Sequence, residues 1–90
     1  GTLNTTHIRP AEIFRGAVRR NAGAVLVGHN HPSGDPNPSP EDRSITRTLI
    51  QSGKLVEVDV VDHVIIGRNR WTSLRQTGGE LWEAPLEVLK

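Results

Sequence analysis

Apolar and polar residues change their spacing several times along the chain, and each change predicts an element. Between Ala11 and Arg20 the apolar positions are Ile13, Phe14, Ala17 and Val18, one stripe of a helix with Arg15, Arg19 and Arg20 mostly off it. Pro10 suits the first turn of that helix. Asn21-Ala22-Gly23 reads as its stop. Residues 1–9 are polar with β-branched residues and read as a short strand or an extended lead-in. Ala24–Val27 is wholly apolar and bounded by turn signals, the pattern of a strand buried on both faces. Gly28–Asp42 holds four of the six prolines, so it reads as a loop. Ser39-Pro40-Glu41-Asp42 opens a second helix: a serine N-cap, a proline in the first helical position, and an acid three residues after the serine. Ile45, Leu49 and Ile50 supply its buried stripe, and Gly53 ends it.

Val56, Val58 and Val60 alternate with Glu57 and Asp59 as in a half-buried strand. Val64–Ile66 follows after Asp62-His63, Gly67–Arg70 is a turn, and Trp71–Leu74 returns as a hairpin strand. From Gln76 the chain is glycine-rich and then acidic. Leu81, Trp82, Leu86, Val88 and Leu89 predict that this tail docks on an apolar surface, of this chain or of another, and the two tryptophans read as core or docking residues. The order (β)-α-β-α-β-β is that of an α/β fold with a small mixed sheet flanked by two helices.

Composition narrows the reading. With 90 residues and 34% hydrophobic content there is room for one small core. The absence of cysteine excludes disulfides, CxxC redox chemistry and cysteine-ligated zinc. The longest apolar runs fall far short of the roughly 18–20 residues that a membrane span needs. Eleven basic and ten acidic residues leave a net charge of +1, which is not the footprint of a dedicated nucleic-acid binder. Arg9, Arg15, Arg19 and Arg20 cluster early, and Glu80, Glu83 and Glu87 cluster late. Both groups read as solvated helix faces, or the early one as a site for an anionic partner. With no methionine, Gly1 reads as a cut or processed end.

The candidate chemistry lies just past the apolar strand. If strand geometry persists, His29 and His31 project from the same face. They then stand at a strand's carboxyl end, where open α/β sheets place their ligand crevices. Asp42 follows eleven positions after His31, at the start of the next helix. Two imidazoles and one carboxylate make a three-ligand set for Zn²⁺ with a fourth position left open, the arrangement of catalytic rather than structural zinc. A plainer account exists for each piece. His-x-His pairs are common, Ser39-x-x-Asp42 is complete as a capping motif, and Asp35 fits an ordinary Asp-Pro turn. His63 reads either as a hydrogen-bonded structural histidine or as a residue beside the site.

The whole string His29-Asn30-His31-Pro32, six residues, Ser39, two residues, Asp42 resembles the JAMM (MPN+) metalloprotease motif. Further segments make the chain similar to the bacterial RadC-like JAB domain. These are Gly1-Thr2-Leu3-Asn4, Arg9-Pro10-x-Glu12-Ile13-Phe14-Arg15, Asn21-Ala22, Ser33-Gly34-Asp35-Pro36, Asp62-His63 and Ser73-Leu74-Arg75. The resemblance spans residues 1–78 and leaves 79–90 as an acidic tail. It implies the JAB/MPN sandwich, similar to cytidine deaminases. It implies His29, His31 and Asp42 as zinc ligands, and Ser39 as the serine that hydrogen-bonds the reacting oxygen. The implied activity is hydrolysis of a peptide or isopeptide bond in a protein or peptide substrate by a metal-activated water, in a bacterial cytoplasmic protein. The family also carries a DNA-repair label, which the charge balance does not support.

One departure matters. JAMM enzymes use a glutamate base upstream of the His-x-His, on a strand that in RadC-like proteins precedes Gly-Thr-Leu-Asn. Only Glu12 precedes His29 in this chain, and it matches a different family position. The expectation is therefore a partial domain with an intact ligand set and weak or absent activity. An exposed sheet edge is expected to be covered by another chain or paired in a homo-oligomer. The competing expectation is a non-enzymatic interaction module.

Overall fold

A computed structural model describes residues 8–87. The lead-in over residues 1–7, His7 within it, and Val88 and Leu89 of the tail lie outside the described residues. The first helix, α1 (Pro10–Arg19), has its proline in the first turn. It stops where Asn21 takes a left-handed φ of 53°, a conformation that asparagine tolerates better than most residues.

The strand that follows, β1 (Ala24–Asn30), runs three residues beyond the apolar stretch. Gly28, His29 and Asn30 stay in register with Val64, Ile65 and Ile66 of β2 (Asp59–Ile66). Backbone pairing carries these polar residues into the sheet. The expectation of burial on both faces is corrected: Val27 is buried, but Leu26 on the opposite face is 66% exposed. Helices cover only one face of the sheet among the described residues.

The second helix, α2 (Pro40–Val56), passes through Gly53 and ends at Glu57, which takes φ 60°. Gly53 is no terminator, and Val56 is helical rather than a strand residue. The glycine is there for contact, since a Cβ on it would lie 2.3 Å from the Val58 carbonyl oxygen. The two strand segments expected after the helix form one strand, β2, parallel to β1. A register shift sets Val25 opposite Val60 but Leu26 opposite Asp62, which makes Val61 a bulge. Buried positions accordingly run Val60, His63, Ile65 rather than every second residue.

The hairpin forms as expected, with β3 (Trp71–Ser73) antiparallel to β2, giving a mixed sheet of order β1-β2-β3. Leu74 starts a short helix, α3 (Leu74–Thr77), capped by the Ser73 hydroxyl. A second short helix is α4 (Glu80–Glu83). Among the described residues these turns raise the helix number from the expected two to four. The tail docks in part: Leu81 and Trp82 pack against the core and the Trp82 indole donates to the Val60 carbonyl at 2.7 Å, whereas Leu86 is exposed. Arg75 donates to the carbonyl of Val61 at 2.9 Å. Trp71, expected in the core or a docking contact, is instead 62% exposed opposite Ile66.

Phe14, Ala17, Val27, Leu49, Ile50, Val58 and Val60 form the core between the helices and the sheet. The class is α/β, as expected. Among the described residues β1 pairs with β2 alone, which leaves its other edge open. None of the described helices is long and apolar enough to cross a membrane.

Candidate metal centre

Val25, Val27 and His29 are alternate residues of β1 and share the face turned to the helices. The His31 N–H still bonds to the Ile66 carbonyl at 3.0 Å, so extended pairing continues one residue past β1. That pairing brings the second imidazole beside the first, with ring centroids 5.1 Å apart. The opposing carboxylate comes from the first turn of α2. The Asp42 N–H donates to the Ser39 hydroxyl at 3.1 Å, and the Ser39 N–H donates to Asp42 Oδ2 at 2.7 Å. This reciprocal capping box fixes the carboxylate. His29 Nε2 lies 3.2 Å from Asp42 Oδ1, and His31 Nε2 lies 2.9 Å from Asp42 Oδ2. One donor atom from each of the three residues lies within 4.8 Å of the others.

The proline-rich loop between these elements is pinned to the β2–β3 turn. The Arg68 N–H donates to the Gly34 carbonyl at 2.7 Å, and Gly34 takes φ 81°. A Cβ on Gly67 would lie 2.4 Å from the same carbonyl oxygen, so only glycine permits this approach. Asp35 behaves as a turn residue, its carboxylate accepting the Asn37 N–H at 3.0 Å. Its backbone carbonyl matters more, because His31 Nδ1 lies 2.8 Å from it.

A carbonyl oxygen only accepts, so His31 carries its proton on Nδ1. In the neutral ring Nε2 then presents a lone pair to a carboxylate oxygen 2.9 Å away. Two facing lone pairs at that distance call for a proton or a metal ion between them. A tetrahedral zinc with bond lengths of about 2.0–2.1 Å separates its ligand atoms by roughly 3.3 Å. The donor set, two imidazoles and one carboxylate, suits zinc and leaves a position open. The arrangement fits a metal ion on chemistry and spacing together.

Electrostatics favour the neutral form of His29 and the ionised form of Asp42. Burial lowers the pKa of His29, although Asp42 acts to raise it. Burial acts to raise the Asp42 pKa, but hydrogen bonding from Ser39 and the two imidazoles outweighs it and the net shift is downward. His63 is fully buried, and burial first, then His29, lower its pKa to about 4.

The structure thus brings His29, His31, Asp42 and Ser39 to one place. Glu12 does not join them: its carboxylate pairs with Arg9 at 3.4 Å on an exposed part of α1. His63 meets both descriptions that the sequence left open. It is buried and hydrogen-bonded, and its Nε2 lies 2.8 Å from His29 Nδ1. Thr46, which bonds to the far side of His63, and the Asp35 carbonyl were missed. The bulge that turns His63 inward has no signature in the residue pattern, and a backbone carbonyl has none by nature.

A family model described as the RadC-like JAB domain matches residues 1–79. A UPF0758 protein of Chloroflexus aurantiacus is 54% identical over 78 residues, covering 87% of this chain and 34% of that protein. UPF0758 proteins of Symbiobacterium thermophilum and Desulforudis audaxviator are each 50% identical over 78 residues, again 87% of this chain and 33% and 34% of theirs. The chain spans about a third of the length of these curated relatives. Their names attach no activity to them.

Proposed function

The chain belongs to the RadC-like JAB domain family, and on that premise we propose that it is a zinc-dependent hydrolase module of the JAMM type, acting on a peptide or isopeptide bond. The observation that carries this reading is the pair of imidazole nitrogens facing one carboxylate at 3.2 and 2.9 Å, with His31 held through Nδ1 on the Asp35 carbonyl so that its Nε2 points at Asp42. His29, His31 and Asp42 would hold the ion. Zinc, when bound, supplies Lewis acidity, lowering the pKa of a water to about 7 and polarising a substrate carbonyl.

The other groups contribute orientation. The Ser39 oxygen is occupied as an acceptor by the Asp42 N–H. Its own hydrogen is not used in that bond, so the hydroxyl can donate to the reacting oxygen while it caps the helix. The capping box ties this donor to the ligand carboxylate, so Ser39 and Asp42 hold their relative positions. Loss of a general base typically costs about 10²–10⁴ in rate. With Glu12 paired to Arg9, amide hydrolysis by this chain alone is expected to be weak.

The test is hydrolysis of a fluorogenic peptide amide by the zinc-loaded chain and by its His29→Ala variant. The expected outcome is slow turnover by the chain and its loss in the variant. Turnover by the chain no higher than by the variant would sink the hydrolase reading.

A further inference from the structure

His29 has two ring nitrogens, and only one of them faces Asp42. Which one carries the proton is decided at the far end of a chain of hydrogen bonds through His63 and Thr46 to Asp42. Thr46 Oγ1 lies 2.6 Å from the Asp42 backbone carbonyl and 2.6 Å from His63 Nδ1. A hydroxyl has one proton to give, and a carbonyl oxygen only accepts. The Thr46 proton therefore goes to Asp42, and Thr46 accepts from the Nδ1–H of His63. With its proton on Nδ1, the neutral His63 ring is bare at Nε2 and accepts the Nδ1–H of His29 at 2.8 Å. His29 Nε2 is then the bare nitrogen, and it is the one 3.2 Å from Asp42 Oδ1. The reverse order fails at one atom, because the single Thr46 proton would have to serve two acceptors.

Thr46 and His63 are both fully buried, so solvent does not supply a missing partner. No buried side-chain nitrogen or oxygen among the described residues lacks a hydrogen-bond partner.

We propose that His63 and Thr46 are positioning residues that hold His29 with its proton on Nδ1 and its Nε2 free for the metal. The proposal rests on the metal reading above. The relay starts on the backbone of Asp42 and ends at a histidine that faces the side chain of Asp42, so one residue anchors both ends. The bulge at Val61 makes this possible, since it turns His63 rather than Asp62 toward α2. A metal-bound histidine usually donates its outer N–H to a carboxylate, a backbone carbonyl or water. Here the acceptor is a neutral imidazole, which fixes the tautomer without adding negative charge to the site.

The test compares Thr46→Val, which keeps the shape and removes the hydroxyl, with Thr46→Ser, which keeps the hydroxyl. Zinc affinity is read by calorimetry, and the tautomer of His63 by nitrogen-15 NMR of the unmutated, zinc-loaded chain. The expected result is an affinity about 10–100-fold lower in Thr46→Val, an affinity in Thr46→Ser close to that of the unmutated chain, and His63 protonated on Nδ1. An undiminished affinity in Thr46→Val, or a His63 proton on Nε2, overturns the proposal and leaves the metal reading standing. Failure of the unmutated chain to bind zinc removes the metal reading and the proposal with it. The NMR measurement needs no variant, so it decides even if Thr46→Val does not fold.

Discussion

At the scale of single residues, the site gathers groups whose preferred protonation states make the fold sensitive to acid. His63 is fully buried and its pKa is lowered from 6.5 to about 4. The unfolded chain therefore binds a proton between these values that the folded chain refuses. Stability is full above about pH 6.5 and is lost as pH falls toward 4, by on the order of 3 kcal/mol from this residue. The lowered pKa values of His29 and Asp42 act in the same direction. Urea unfolding of the metal-free chain should show a midpoint that falls across this window. A midpoint that stays flat from neutral pH to below 5 would contradict this picture of His63. The three ligand candidates were legible because their geometry is local: two histidines at strand spacing, and an aspartate in the first turn after its cap. The groups that orient them were not, because they are a backbone carbonyl at Asp35 and side chains brought in by a bulge.

At the scale of elements, two glycines inside helices carry opposite meanings that sequence pattern does not separate. Gly53 looks like a helix stop, yet α2 continues to Val56. Its missing Cβ makes room for the Val58 carbonyl at 2.3 Å and for the Phe14 ring at 3.4 Å. Gly16 in α1 has only the flexible end of Arg20 near its Cβ position, at 3.7 Å. Gly16→Ala should therefore stabilise the chain by about 0.5–1 kcal/mol, the ordinary helix preference. Gly53→Ala should destabilise it by roughly 1–3 kcal/mol, because backbone must move to admit the methyl group. Thermal or urea unfolding of the two variants checks this, and equal signs would contradict it. The mixed sheet and the helix between β1 and β2 followed from residue order. The merging of two expected strands into β2 did not, because alternation counts break at the bulged Val61.

At the scale of the whole molecule, the candidate ligands join the end of β1 to the start of α2. The main hydrophobic core gathers around Phe14, Val27, Leu49 and Val60. The imidazoles and the carboxylate close the fold at the carboxyl end of β1, where α2 begins. A bound ion there would tie strand to helix and stabilise the folded state in proportion to its affinity. The overall class and the candidate ligand cluster were readable in the sequence because both rest on the spacing of residues along the chain. The docking of the tail through Trp82 was expected only as a tendency, and its anchor, the Val60 carbonyl beside the bulge, was not. The most direct test of the central claim is a calorimetric titration of zinc into the metal-free chain at neutral pH. Saturation is expected at one ion per chain, with binding abolished or greatly weakened in both His29→Ala and His31→Ala. Absence of stoichiometric binding, or equally tight binding in those variants, would contradict it.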